Sequence, residues 1–124
     1  MKLARRIAFA ALLAMTAPAF AQSAAQELAI NMETSGLARR VELGPPRFRT
    51  VGRYQMVEVQ AQNVTSRDQS VQYKIEWFDR EGFSVQTTST WQSLNLSPRQ
   101  YEAIRSVGQV DNAYSARLTM RDAD

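Results

Sequence analysis

The sequence predicts an all-β domain: an immunoglobulin-like antiparallel β-sandwich of about seven strands, preceded by a helical signal peptide. Apolar and polar residues alternate with a period of two along several segments, and turn-forming residues separate these segments. No stretch after the leader has a convincing helical period. This combination is typical of short antiparallel strands packed in two layers.

The leader, residues 1–21, has the three parts of a cleavable signal peptide. A positively charged start precedes an apolar run from Ile7 to Ala14, and Ala19-Phe20-Ala21 forms a small-x-small cleavage site. The run is shorter than the roughly 20 apolar residues that a membrane-spanning helix needs. No cysteine follows the site, so the mature N-terminus cannot carry a lipid. We therefore expect residues 22–124 to form a single periplasmic domain without a stable membrane anchor.

Removal of the leader changes the charge of the protein. The full chain has a formal net charge of +3, from 15 basic and 12 acidic residues. Three of the basic residues lie in the leader, so the mature chain is formally neutral. The basic character of the precursor is therefore no indication of a nucleic-acid partner. With no cysteine available for a disulfide, the stability of the domain must come from one apolar core.

The first half of the mature chain contains two weak strand candidates and one strong one. Leu28–Met32 and Leu37–Leu43 are short apolar stretches, with a Ser35-Gly36 turn signal between them. Gly44-Pro45-Pro46 must interrupt any sheet, because proline cannot donate a hydrogen bond to the ladder. From Tyr54 to Val64 apolar and polar residues alternate, which predicts a long half-buried antiparallel strand.

The second half begins with the cleanest strand pattern of the chain, at residues 71–78. The positions of this strand that we expect to face the core are Val71, Tyr73, Ile75 and Trp77. Asp79-Arg80-Glu81-Gly82 predicts a hairpin turn in which Gly82 adopts a positive φ, and Phe83–Gln86 is expected to return as the partner strand. The remaining strand candidates are Trp91–Leu96, Gln100–Val107 and Tyr114–Arg121.

Several of these segments resemble the YcfL-like family of bacterial envelope proteins. The most specific resemblance is Val71–Asp79 followed by Gly82, and the other similar segments are Asn63-Val64-Thr65, Trp91–Leu96 and Ala113–Leu118. The resemblance implies a periplasmic β-sandwich without known catalytic residues. It also implies a neighbourhood of lipoproteins that activate peptidoglycan synthases, and hence a partner in the cell-wall synthesis machinery. Many members carry a lipid-bearing cysteine at the cleavage site, whereas this chain has Ala21-Gln22 there.

The chain lacks the residues on which many enzymes depend. It contains neither histidine nor cysteine, which excludes a Ser-His-Asp triad, a cysteine nucleophile and any metal site built on those side chains. No glycine-rich phosphate loop is present. Asp79 and Glu81 could in principle hydrolyse a glycoside, but we interpret them as solvated turn residues, because a general acid needs burial to raise its pKa. We expect a protein that is not an enzyme and uses no cofactor or metal.

Five arginines within fifteen residues form the most basic stretch of the mature chain. They are Arg39, Arg40, Arg47, Arg49 and Arg53, with the aromatic residues Phe48 and Tyr54 beside them. Such a patch could hold anionic lipid headgroups, lipopolysaccharide phosphates or peptidoglycan carboxylates, since guanidinium forks pair with planar anions. The alternative is a solvated strand edge on which charge prevents aggregation.

Aromatic residues supply the other candidate surfaces. Trp91 could stack on a sugar or cap the sandwich, and Phe78 could form a small partner patch with Phe83 across the hairpin. Asn63-Val64-Thr65 matches a glycosylation sequon, but we interpret Asn63 as the end of a strand. The possible ligand or partner surface thus comprises Arg47, Arg49, Arg53, Phe78 and Trp91.

Together these features favour a non-catalytic binding or scaffolding module in envelope biogenesis, acting through a sandwich surface or an edge strand. Its partner would be another envelope protein. The alternative is a small carbohydrate-binding or anionic-lipid-binding protein of the periplasm, which would use Trp91 or the arginines.

Overall fold

The structure, a computed structural model, describes residues 25–85 and 89–123. Within these residues eight strands form: β1 Leu28–Met32, β2 Val41–Leu43, β3 Arg47–Val51, β4 Tyr54–Asn63, β5 Gln69–Phe78, β6 Gln92–Leu96, β7 Tyr101–Gly108 and β8 Ser115–Asp122. A short 3-10 turn, Leu37–Arg39, precedes β2. None of the helical segments in the described ranges is long and apolar enough to cross a membrane. The predicted signal peptide, residues 1–21, lies outside the described residues.

Two sheets face each other, which confirms the predicted all-β sandwich. Sheet A has the strand order β1-β8-β5-β6. In sheet B, β4 is central, with β7 on one side and both β2 and β3 on the other. One pair departs from the antiparallel expectation, because β1 and β8 run parallel. No hairpin joins these two strands: β1 opens the sandwich and β8 closes it, so chain connectivity does not force them to run in opposite directions.

Strict alternation in β4 and β5 builds the core. In β4 the odd-numbered positions from Val57 to Asn63 are buried and the even-numbered positions face outward. In β5, Val71, Ile75 and Trp77 are buried as predicted, while Tyr73 is partly buried and packs against the core. Because a strand turns successive side chains to opposite faces, each of these strands commits one face to the interior.

Trp77 lies at the centre of the core, as the sequence predicts. Its side chain is fully buried, and its indole N–H donates to the hydroxyl of Ser106 at 2.9 Å. Phe48 of β3 meets its ring edge-on, with ring centroids 6.2 Å apart. Gly108 lies so close that a Cβ there would be 2.9 Å from the Cδ2 atom of Trp77. The absence of a side chain at position 108 therefore makes room for the indole.

Two predicted strands take other forms. A strand over Leu37–Leu43 would point Leu37, Arg39 and Val41 to the same side and bury the arginine. The 3-10 turn, entered through Gly36 at a φ of 81°, buries Leu37 and Val41 and leaves Arg39 exposed. The expectation of one continuous strand is therefore wrong.

The return segment after the hairpin turn is also shorter than predicted. Gly82 has the expected positive φ of 91°, but in residues 83–85, the described part of this segment, it is followed by a single bridge between Phe78 and Ser84. Phe83 is 69% exposed and Val85 alone packs against the core, so the segment has too few apolar contacts to hold a full strand. The partner of β5 on this side is β6, and Gln86 lies outside the described residues.

Candidate functional site

The five residues predicted to form a ligand or partner surface lie on different parts of the sandwich. Arg47 and Arg49 project from the outer face of sheet B, and Arg53 lies in the turn between β3 and β4. Phe78 and Trp91 lie on the outer side of sheet A. The five residues therefore cannot act as one site. Arg47 and Arg49 are close together on β3, whereas Phe78 and Trp91 lie on the opposite sheet and Arg53 lies in a turn.

A basic surface forms where three strands of sheet B lie side by side. The strand register places Arg47, Glu58 and Arg105 in one row across β3, β4 and β7, and Arg49, Met56 and Val107 in the next. All six side chains point outward, because their neighbours in each strand point into the core. We call this surface the arginine face, and its members are Arg47, Arg49, Met56, Glu58, Arg105 and Val107.

Positively charged side chains outnumber negatively charged ones on the arginine face. Glu58 is held between two guanidinium groups, with Oε1 3.4 Å from Nη2 of Arg47 and Oε2 2.9 Å from Nε of Arg105. Both arginine side chains stay accessible, at 77% and 64% exposure, whereas the side chain of Glu58 is only 20% exposed. Arg49 is exposed and has no ion pair within the described part of the chain. This face thus carries three cations and one carboxylate, and the carboxylate contacts two of the cations.

Apolar side chains occupy the second row of the arginine face. Val107 is 37% exposed and Met56 is half-buried beside it. Neighbouring strands lie about 4.8 Å apart, so the arginines on β3 and β7 are separated by about 10 Å at the backbone. The result is a sheet surface that combines spaced guanidinium groups with an apolar strip.

Arg105 is the one arginine of this surface that sequence reasoning did not select. Its alternation with Ile104 and Ser106 correctly places it on one side of a strand. It is 56 positions from Arg49 in sequence, and only the β4–β7 pairing brings the two together. No local signal gives that register.

The other arginines of the basic stretch have separate roles. Arg40 donates to both carboxylate oxygens of Asp122, at 3.1 and 3.2 Å, and to Oε1 of Gln69 at 2.8 Å. It thereby ties the start of β2 to sheet A. Arg53 lies 3.4 Å from the carboxylate of Asp111, with its guanidinium 5.5 Å from the ring centre of Tyr54. A side-chain hydrogen bond with Tyr54, and after it the charge of Asp111, raises the pKa of Arg53 above its ordinary value.

Trp91 lies on the outer face of sheet A rather than capping the sandwich. The register pairs Gln92 with Tyr73, so the preceding residue falls on the outward side. There the guanidinium of Arg121 lies 3.7 Å from the ring centre of Trp91, and the ammonium of Lys74 lies 4.9 Å from it. These cation–π contacts occupy ring surface that a sugar would need for stacking.

Phe78 is less accessible than the sequence suggests. It is half-buried, and the guanidinium of Arg117 lies 5.2 Å from its ring centre. Arg117 is held there by Glu76 at 2.9 Å. Phe83 is well exposed. Because Arg117 covers the ring of Phe78, however, only one of the two aromatic residues of the predicted Phe78–Phe83 patch is freely accessible.

The carboxylates of the hairpin turn have structural contacts. Oδ1 of Asp79 accepts hydrogen bonds from the backbone N–H groups of Glu81 and Phe83, at 3.0 and 2.9 Å. An aspartate that accepts from the residues following it stabilises a tight turn. Among residues 25–85 and 89–123 there is no group of three or more acidic, histidine or cysteine side chains that could hold a metal ion.

Comparison with known proteins agrees with this architecture. A crystal structure of a DUF1425 family member from Shewanella sp. pv-4 matches with a TM-score of 0.63 at 22% identity, covering 68% of this chain and 79% of that one. The crystal structure of Campylobacter jejuni cj0090 matches with a TM-score of 0.63 at 20% identity, covering 75% of this chain and 96% of that one. At these identities the likeness concerns the fold. No curated protein matches the chain.

The family assignment follows from a match over most of the domain. The model of DUF1425, described as a protein family of unknown function, matches residues 28–122. This range runs from the first residue of β1 to the last residue of β8 and includes both sheets. The chain therefore belongs to the DUF1425 family.

Proposed function

We propose that this protein is a non-catalytic binding module of the bacterial cell envelope, and that it binds an acidic partner protein through the arginine face. The observation that carries the proposal is the grouping of three arginines and only one carboxylate around an apolar strip on a rigid sheet. The leader supports a periplasmic location, and the YcfL-like resemblance supports a scaffolding role near cell-wall synthesis.

The chemistry of the arginine face favours a protein partner. Guanidinium groups bind carboxylates through paired, planar hydrogen bonds, which a strand or loop with spaced Asp and Glu residues can satisfy. Arginine and methionine are enriched at protein interfaces, where apolar contacts form the centre and charges the rim. Met56 and Val107 supply such a centre beside the charged row. Lipid headgroups and glycans could contact the same arginines, but their binding would not explain the apolar side chains of Met56 and Val107 on this surface.

The absence of catalytic chemistry supports a binding role. The whole chain lacks histidine and cysteine, and the paired carboxylates Asp79 and Glu81 lie at an exposed turn. A catalytic general acid needs a buried environment, which a turn at the surface does not provide. We therefore assign the protein no reaction.

The test compares two variants of the mature chain. Arg49→Glu/Arg105→Glu reverses two charges of the arginine face without touching the core, and Arg67→Glu, in the exposed β4–β5 turn, is the control for an added negative charge. Both proteins and the wild type are used to capture partners from an envelope extract, at low and at high salt. We expect one protein to be retained by the wild type and by Arg67→Glu, and to be lost from the double variant and at high salt.

The same proteins distinguish the alternative ligands. Tryptophan fluorescence is titrated with anionic phospholipid vesicles and, separately, with soluble peptidoglycan fragments. Saturable binding to vesicles or fragments that the double variant loses, with no protein captured, would replace the proposal with the lipid or carbohydrate alternative. Capture of the same proteins by the double variant and the wild type would refute a role for the arginine face.

A further inference from the structure

Strand β1 forms one edge of sheet A, and its outer side is open. Its neighbour β8 takes the other side: the carbonyl of Glu27 accepts from the N–H of Ala116, and the N–H of Glu33 donates to the carbonyl of Met120. Since successive residues of a strand turn their N–H and C=O groups to opposite sides, alternate residues present theirs at the free edge. These residues are Leu28, Ile30 and Met32. No strand in the described ranges lies along this outer side of β1.

This edge lacks the protection that the other edges have. Edge strands commonly carry charged residues or proline, which hinder pairing with another chain. Strand β3 contains two arginines, and β7 contains an arginine and a glutamate. Strand β6 has no charge, but its Leu96 is fully buried and Pro98 follows two residues later. The sequence Leu-Ala-Ile-Asn-Met of β1 contains neither a charge nor a proline.

The core is also incomplete beside β1. Ile30 pairs in register with Leu118, so both side chains lie on the inner side of sheet A. Leu118 is fully buried, whereas Ile30 remains 45% exposed. An additional strand along β1 would bring its own inward side chains next to Ile30 and cover it. The same strand would satisfy the free backbone groups.

The charges at both ends of β1 indicate what kind of strand fits. Exposed Glu27 and Glu33 flank it. If a second copy of the chain paired antiparallel about Ile30, Glu27 of each copy would lie opposite Glu33 of the other. Like charges directly opposite one another destabilise a strand pair. A strand with a basic residue at each end would instead form two attractive pairs in either direction.

From these features we infer that the free edge of β1 accepts an extended segment of a partner protein, with apolar residues at alternating positions and a lysine or arginine at each end. The segment matches the stretch from Glu27 to Glu33, about 20 Å long, and extends sheet A to five strands. This site is independent of the arginine face, which lies on sheet B, so either proposal can fail without the other.

The test uses the mature chain and a blocked peptide, Lys-Val-Thr-Val-Thr-Val-Lys, with a Glu-ended version of the same peptide as the control. Amide hydrogen exchange is measured residue by residue by NMR. We expect the Lys-ended peptide to slow exchange at Leu28, Ile30 and Met32. The amides of Ala29 and Asn31 face β8 and should change little. The Glu-ended peptide should bind about tenfold more weakly.

Two variants separate the edge from the charges. Ile30→Pro removes an N–H of the free edge but none of the β1–β8 hydrogen bonds, and proline is tolerated at such an edge position. This variant should bind the Lys-ended peptide at least tenfold more weakly. The control, Asn31→Ser, should bind it like the wild type. Glu27→Lys/Glu33→Lys should reverse the preference and favour the Glu-ended peptide. This double variant remains informative if Ile30→Pro fails to fold.

Three results would overturn the inference. The first is unchanged exchange at the three edge amides in the presence of millimolar peptide. The second is equal binding of the Lys-ended and Glu-ended peptides, which would remove the basic ends from the proposal. The third is protection of the same amides that rises with protein concentration in the absence of peptide, which would identify a second copy of the chain as the occupant.

Discussion

Asn63, the last residue of β4, joins the two sheets, and its replacement is the sharpest test of how the sandwich is held together. Its side chain is fully buried. Nδ2 donates to the carbonyls of Arg67, Leu96 and Ser97 at 2.7, 3.0 and 3.1 Å. Oδ1 accepts from the backbone N–H and the hydroxyl of Thr65 at 2.9 and 2.7 Å. The carboxamide therefore connects β4 of sheet B with the end of β6 in sheet A and with the turn before β5.

Asn63→Ala should lower the free energy of unfolding by about 3 kcal/mol. A net contribution of about 1 kcal/mol from each of these hydrogen bonds would suggest a larger loss of stability. Water can reach some of the partners in the turn, however, and recover part of that loss. The bond to the carbonyl of Leu96 is buried, so that carbonyl would lose a partner that water does not replace easily. Asn63→Asp should be at least as destabilising at neutral pH, because a carboxylate oxygen would face three carbonyl oxygens.

The measurement is urea unfolding, with Asn95→Ala as the control, since Asn95 is exposed on β6. With a slope of about 1.5 kcal/mol per molar urea, a loss of 3 kcal/mol lowers the midpoint by about 2 M. The control should stay within about 0.3 M of the wild type. A midpoint for Asn63→Ala within 0.5 M of the control would show that the carboxamide does not hold the two sheets together.

Three further predictions concern the core, an ion pair and alkaline stability. Gly108→Ala should destabilise the fold by about 1–3 kcal/mol and alter the near-ultraviolet circular dichroism of Trp77, because the new Cβ would approach the indole to 2.9 Å; an unchanged spectrum and midpoint would contradict this. Asp122→Asn should cost about 1 kcal/mol through the loss of its two contacts with Arg40, and the loss should shrink at 1 M NaCl; equal losses at both salt concentrations would count against an ionic contribution. Burial, above all, raises the pKa of Tyr73 above its ordinary 10.0. The contribution of the neutral Tyr73 side chain to stability is therefore complete below pH 10 and decreases as the pH rises toward the pKa of the folded state. Tyr73→Phe should flatten that decline in urea midpoints measured from pH 9 upward, and an identical decline in both proteins would refute the assignment.

The local pattern of the sequence predicted most of the strands but not β3, Arg47–Val51, and it could not predict how the strands pair. Alternation correctly placed Trp77 in the core, because a strand turns every second side chain to the same side. Pattern alone could not say that Arg105 would lie across β4 from Arg47, since register depends on packing between distant strands. For the same reason the predicted surface combined Arg53, Phe78 and Trp91 with arginines that lie elsewhere on the sandwich.

The sequence by itself determined the fold class, the central tryptophan and the lack of histidine and cysteine chemistry, because these follow from residue identity and from a period of two. Only the tertiary structure decided which charged residues meet and which edges stay free. Glu58 gathers Arg47 and Arg105 because three strands align, and β1 is open because β8 pairs with one side of it and the described chain supplies no strand for the other. Both outcomes depend on contacts between residues far apart in the chain, which no local pattern records.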